Sequence, residues 1–99
     1  PVEGSVPAPQ SRELLRVLAA LSDENRFRIV ALLSERRCAL SSTDVCAALG
    51  LSPSLVSHHL SILEAAGIVD RRKDGLCTMN GLRRDFLKQH FAILERLLG

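Results

Sequence analysis

Between Ser52 and Lys73 the chain keeps two kinds of polar chemistry apart. The first part carries Ser52, Ser54, Ser57, His58 and Ser61, with Leu55 among them, and as far as Gly67 its one carboxylate is Glu64. Short neutral donors and acceptors reach base edges in a major groove, where a leucine can meet thymine methyls and negative charge is unwelcome. The second part, Arg71, Arg72 and Lys73, is the formal positive charge that a phosphate backbone attracts. Strand alternation puts Arg71 and Lys73 on one face and Arg72 on the other, so at most two of them face one phosphate strand. Each phosphate neutralised contributes about −0.9 to the slope of log affinity against log salt. Both parts also have a plain structural reading, as a solvated serine face and as charge guarding an edge strand. Their order along the chain is more specific than either part alone.

Thiols are the other reactive groups. Cys38, Cys46 and Cys77 are odd in number and contain no CxxC or CxC pair, so reduced thiols are expected rather than a disulfide framework. Cys38 follows Arg36 and Arg37, the electropositive setting in which reactive thiolates occur. Cys46 reads either as a small buried hydrophobe beside Leu49 or as a ligand. Cys38 and Cys46, alone or with a third donor, would take As(III) or another thiophilic metal ion, whereas a single reactive thiol would sense an oxidant or a persulfide. His58 and His59 point about 100° apart on a helix and do not readily share one ion.

The elements that must position these groups can be read from apolar spacing and capping residues. The opening "PVEGSVPAPQ" holds three of the four prolines and few large apolar residues, so residues 1–10 read as a flexible tail and 11–99 as one domain. A first helix starts at Ser11 with Leu14, Val17, Leu18 and Leu21 in phase. Ser22 or Asp23 caps a second helix that ends around Glu35. Ser41 caps a third, with Leu40 stapled to Val45 and Gly50 closing it. Ser52 and Pro53 open a fourth that ends at Gly67, and the short connection between the two forces a sharp crossing, as in a helix-turn-helix. On the fourth helix Val56, Leu60 and Leu63 point to the core, which leaves the serine and histidine face outward. "IVDRRKDGLCTMN" then reads as a β-hairpin around Asp74-Gly75.

The last helix, Leu82 to Leu98, is apolar over more than one face, and the first shares that excess. Leu14, Val17, Leu18, Phe86, His90, Phe91, Leu94 and Leu97 are therefore expected at a homodimer interface. A histidine pair at His90 across the two-fold axis is a further possible metal site. A chain of 99 residues that is 46% hydrophobic builds one small core, with a partner subunit as a plausible aid. Net charge is +2, so the position of charge matters more than its sum. No Trp or Tyr and only Phe27, Phe86 and Phe91 leave little for base stacking on single strands, which favours a duplex partner. No apolar run approaches the roughly 18 residues of a membrane span, and no charged-then-apolar leader opens the chain, so a soluble cytoplasmic protein without a membrane partner is expected.

"LSDENRFRIVALL", "LGLSPSLVSHHLSILEAAGIV" and "RRKDG" together resemble the ArsR/SmtB-type family of winged-helix repressors, from about Leu14 to the end. The resemblance implies a mainly α winged helix-turn-helix of five helices with a two-stranded hairpin wing. It also implies a homodimer that binds a palindromic DNA operator and is released by an inducer. The fourth helix then matches the recognition helix, with Ser54, Leu55, Ser57 and His58 at base-reading positions, and His59 matches a histidine that packs the helix. The family's CxC sensor positions are Ser41 and Thr43 here, and hydroxyls cannot rebuild a thiolate site. Its last-helix metal site falls on Arg83, Asp85 and Arg96, where two cations repel a metal. The wing has Leu76 where a basic residue is common and Asn80 where tyrosine is frequent.

Three classes compete on these features. A dimeric DNA-binding repressor predicts salt-dependent operator binding, and a winged-helix protein-interaction module that never meets DNA predicts none. An enzyme is the least supported, since the chain has no Gly-rich phosphate loop, HExxH or nucleophile elbow.

Overall fold

The structure is a computed structural model and describes residues 8–99. Among these the order is α1 (Ala8–Leu21), α2 (Glu24–Arg36), β1 (Leu40–Ser41), α3 (Ser42–Leu49), α4 (Pro53–Ala65), β2 (Val69–Asp74), β3 (Cys77–Leu82) and α5 (Arg84–Leu97). Of the expected tail, residues 1–7 lie outside the described residues. Ala8 to Gln10 belong to α1 instead, because a proline in a first turn gives up an N–H that has no helical partner anyway.

Side chains placed by the sequence set the helix starts. The Asp23 carboxylate accepts from the Arg26 N–H at 3.0 Å and caps α2. That bond, with the charges of His59 and Arg26 against a desolvation cost, holds Asp23 below the ordinary carboxylate value. Ser41 Oγ accepts from Asp44 N at 3.0 Å to open α3, and Ser52 Oγ accepts from Leu55 N at 3.3 Å to open α4. Gly50, at φ +67, ends α3 by donating to Cys46 O at 2.8 Å. The axes of α3 and α4 bend by 114° across Gly50–Ser52, within the usual range for a helix-turn-helix.

The sheet has one strand more than the sequence suggested. β1 pairs antiparallel with β3 through Leu40 and Asn80, giving the order β1-β3-β2. A two-residue strand has no periodicity to read, and only its partner makes it a strand. Leu82, expected to start the last helix, pairs with Val69 instead, and Arg83 N donates to Ile68 O at 2.9 Å. The turn also shifts by one residue: Asp74 pairs with Cys77, so its central residues are Gly75 at φ +64 and Leu76. Positive φ at the first central position and not the second is the type II′ arrangement.

Val17, Ile29, Leu33, Val45, Val56, Leu60, Leu63, Ile68 and Val69 form the centre of one core that joins α1, α2, α3, α4 and the hairpin base. Long cations fasten helix ends around it. Arg28 donates to Leu49 O at the end of α3 (3.0 Å), and Arg84 donates to Ser34 O near the end of α2 (3.0 Å). Among the described residues no single helix is long and apolar enough to cross a membrane.

Candidate nucleic-acid interface

Helix α4 turns Val56, His59, Leu60 and Leu63 inward and leaves Ser52, Ser54, Leu55, Ser57, His58 and Ser61 on the exposed surface. The 3.6-residue period separates them: a stripe that fills the core leaves a second stripe free. His59 is 6% exposed. Its Nδ1 lies 3.4 Å from Arg26 Nη1, and its Nε2 lies 3.9 Å from Asp23 Oδ2. Arg26 is a donor only, so Nδ1 is placed as its acceptor and Nε2 is the ring nitrogen turned to the carboxylate. His59 therefore packs α4 on α2, as expected of it, and only His58 of the pair faces solvent.

The three basic residues of β2 have different surroundings. Arg72 and Lys73 are exposed, and among the described residues the one ion pair of Arg72 is to Asp70 at 4.0 Å. Arg71 is half-buried. Its Nε donates to Asn80 Oδ1 at 2.9 Å, and its Nη1 donates to Ser61 Oγ on α4 at 3.3 Å. Asn80 is wholly buried, and its Nδ2 faces Leu40 O at 3.0 Å and Ser42 Oγ at 3.1 Å. The sequence marked Asn80 only as a departure from a family pattern. Nothing local could reveal a hub whose partners lie 9, 38 and 40 residues away.

The thiols stand apart in kind. Cys38 and Cys77 are exposed, while Cys46 is half-buried against the core. Cys38 lines a cleft of about 150 Å³ with Arg37, Leu82 and Arg84. Among the described residues no three His, Cys, Asp or Glu side chains are gathered to hold a metal ion.

Of the residues expected at a dimer surface, Val17 is a core residue with no surface to offer, and Leu14 is 5% exposed against α5. His90 is likewise spent inside the chain. Its Nδ1 lies 2.8 Å from Phe86 O and its Nε2 lies 3.0 Å from Glu13 Oε1, which ties α5 to α1. Leu18, Phe86 and Leu94 are half-buried, and Phe91 and Leu97 are exposed. Two residues outside the expected set, Leu15 at 64% and Leu98 at 83%, extend that apolar surface. Leu15 falls beside the first helix's apolar stripe rather than on it, so periodicity gave no reason to choose it.

The sequence description "Bacterial regulatory protein, arsR family" matches residues 23–71, from the cap of α2 into β2. A solved ArsR-like transcriptional regulator from Rhodococcus sp. RHA1 is 31% identical, with a TM-score of 0.81 over 91% of this chain and 83% of its own. The transcriptional repressor SmtB of Mycobacterium tuberculosis is 42% identical over 74 residues, 70% of this chain and 53% of the relative. The arsenical resistance operon repressor of Escherichia coli is 39% identical over 61 residues, 62% of this chain and 51% of the relative. The chain spans about half the length of the curated relatives it matches.

Proposed function

The chain belongs to the ArsR family of transcriptional regulators, which are not enzymes, and from that premise we propose that it is a homodimeric repressor of a palindromic DNA operator. What carries the reading is that α4 exposes Ser54, Leu55, Ser57 and His58 while β2, the hairpin strand packed against α4, exposes Arg72 and Lys73. The helix thus offers short groups for base edges, and the adjoining hairpin offers formal charge for phosphates, Arg72 and Lys73 from opposite faces of its strand. The Ser52 cap and the N-terminal amides of α4 add donors for a phosphate. As an operator-binding regulator it works in the cytoplasm, with the DNA.

Dimerisation follows from the apolar surface of α1 and α5. Leu15, Phe91, Leu97 and Leu98 stay exposed on one chain, near an open cleft of about 850 Å³ between the start of α1 and the end of α5. A second copy covers such residues, and a two-fold axis there sets two α4 helices about 34 Å apart on one face of a duplex.

Release is proposed to follow a thiol-reactive inducer. What supports a thiophilic metalloid is the arsenical resistance named for the E. coli relative. What supports a redox or persulfide signal is the exposed Cys38, one thiol that needs no three-donor site. Fluorescence anisotropy of a palindromic duplex with the reduced protein tests both. Arsenite, cadmium, zinc, peroxide and persulfide are each titrated against wild type, Cys38→Ser and Cys46→Ser. Release by one agent, lost in one cysteine variant, identifies the signal and its residue. Binding that no agent moves removes the thiols from regulation.

A further inference from the structure

On the reading that α4 and the hairpin meet one duplex, we propose that Arg71 and Asn80 form a brace fixing the angle between them, so that Asn80 is a positioning residue for sequence discrimination. Two nitrogens of the Arg71 guanidinium are committed inside the molecule, Nε to Asn80 on β3 and Nη1 to Ser61 on α4. Among the described residues Nη2 of the same rigid plane has no partner, which leaves it for a phosphate oxygen. The planar fork makes the arrangement specific to arginine, because an ammonium group cannot reach two acceptors and a phosphate along fixed directions.

Asn80 can hold the fork because it cannot swing. Its side chain is wholly buried and its orientation is determined: Oδ1 must face the donor-only guanidinium, and Nδ2 must face Leu40 O and Ser42 Oγ. Ser42 is the first residue of α3, so the same amide ties the hairpin to the first helix of the helix-turn-helix. Through Asn80 and Arg71, the start of α3, the hairpin and the middle of α4 share one polar network.

This separates the three cations by role. Arg72 and Lys73 supply charge from exposed, freely turning side chains. Arg71 supplies geometry, since base contacts discriminate only when their register against the backbone is fixed. Loss of the brace should blur the reading of bases while leaving the electrostatic attraction intact.

Two measurements test this on the intact chain, with Asn80→Ala and Arg71→Lys as variants and thermal melts confirming that each folds. The first needs no DNA: the Arg71 Nε–H resonance is followed by NMR for its exchange with solvent. Slow exchange in wild type, faster by at least about tenfold in Asn80→Ala and unlike the Arg72 signal, is expected for a hydrogen bond to a buried acceptor. The second compares affinity for a duplex selected from a random pool with affinity for the same duplex altered within the α4 half-sites. Both variants should lose about tenfold in that ratio, the scale of one base contact, with the salt slope unchanged. Exchange as fast as Arg72 in wild type, or wild-type discrimination in both variants, overturns the brace. A wild-type chain that binds no duplex overturns the interface itself, and the discrimination role of Asn80 with it, whereas the exchange result stands independently.

Discussion

His58 and Arg72 make the two halves of the interface separable by single substitutions. His58 is exposed on the face of α4 proposed to read bases, so His58→Ala should change the ranking of duplexes that differ in the half-site, by about 1–3 kcal/mol at the affected base pair. Equal weakening on every duplex would remove it from base reading. Arg72 is exposed and nearly unpaired, so Arg72→Ala should lower affinity for all duplexes alike and reduce the salt slope by about 0.9. Asp23 belongs to the scaffold. Its folded value is depressed, so its contribution is present above the ordinary value of 3.8 and lost as pH falls through the folded value. Asp23→Asn should therefore melt lower than wild type at neutral pH, and the gap in melting temperature should close in acid below that value. The exposed face of α4 was legible because helical spacing assigns faces without knowledge of partners. Asn80 was not, because the bonds that define its role are long in sequence.

At the scale of elements, the chain turns from α4 into the hairpin at Gly67. Its φ is +86, and a Cβ there would stand 2.7 Å from Phe86 Cζ. The ring cannot easily yield, being stacked 4.3 Å from His90 and covered by the Arg83 guanidinium at 4.9 Å. Gly67→Ala should cost about 1–3 kcal/mol through the left-handed backbone alone, with the collision adding to it, read as a lower urea midpoint at unchanged slope. A midpoint equal to wild type would mean that this junction is slack. The helices were legible because Asp23, Ser41 and Ser52 announce their starts by local chemistry. β1 and the end of β3 were not: Leu40 and Leu82 look like any apolar residue until the ladder pairs them with Asn80 and Val69. A leucine next to a helical sequence reads as helix by default, whereas Leu82 ends β3 opposite Val69.

For the whole molecule, the apolar excess on α1 and α5 is the feature a single chain does not resolve. The sequence exposed the excess, yet it could not say which residues the chain's own packing uses. Val17, Leu14 and His90 turn inward, and Leu15, Phe91, Leu97 and Leu98 stay out. Phe91→Glu should therefore yield a folded monomer by sedimentation, with affinity for a palindromic duplex lower by about 100-fold as the second half-site contact is lost. An unchanged dimer would move the interface elsewhere.

Whether α4 and the hairpin form a sequence-reading duplex interface is decided by the affinity of the reduced protein for selected and scrambled duplexes over a range of salt. Such an interface should give a linear fall of log affinity with log salt for both, with the selected duplex bound at least about a thousandfold more tightly. Equal affinity for the two, or binding that salt does not weaken, would contradict it.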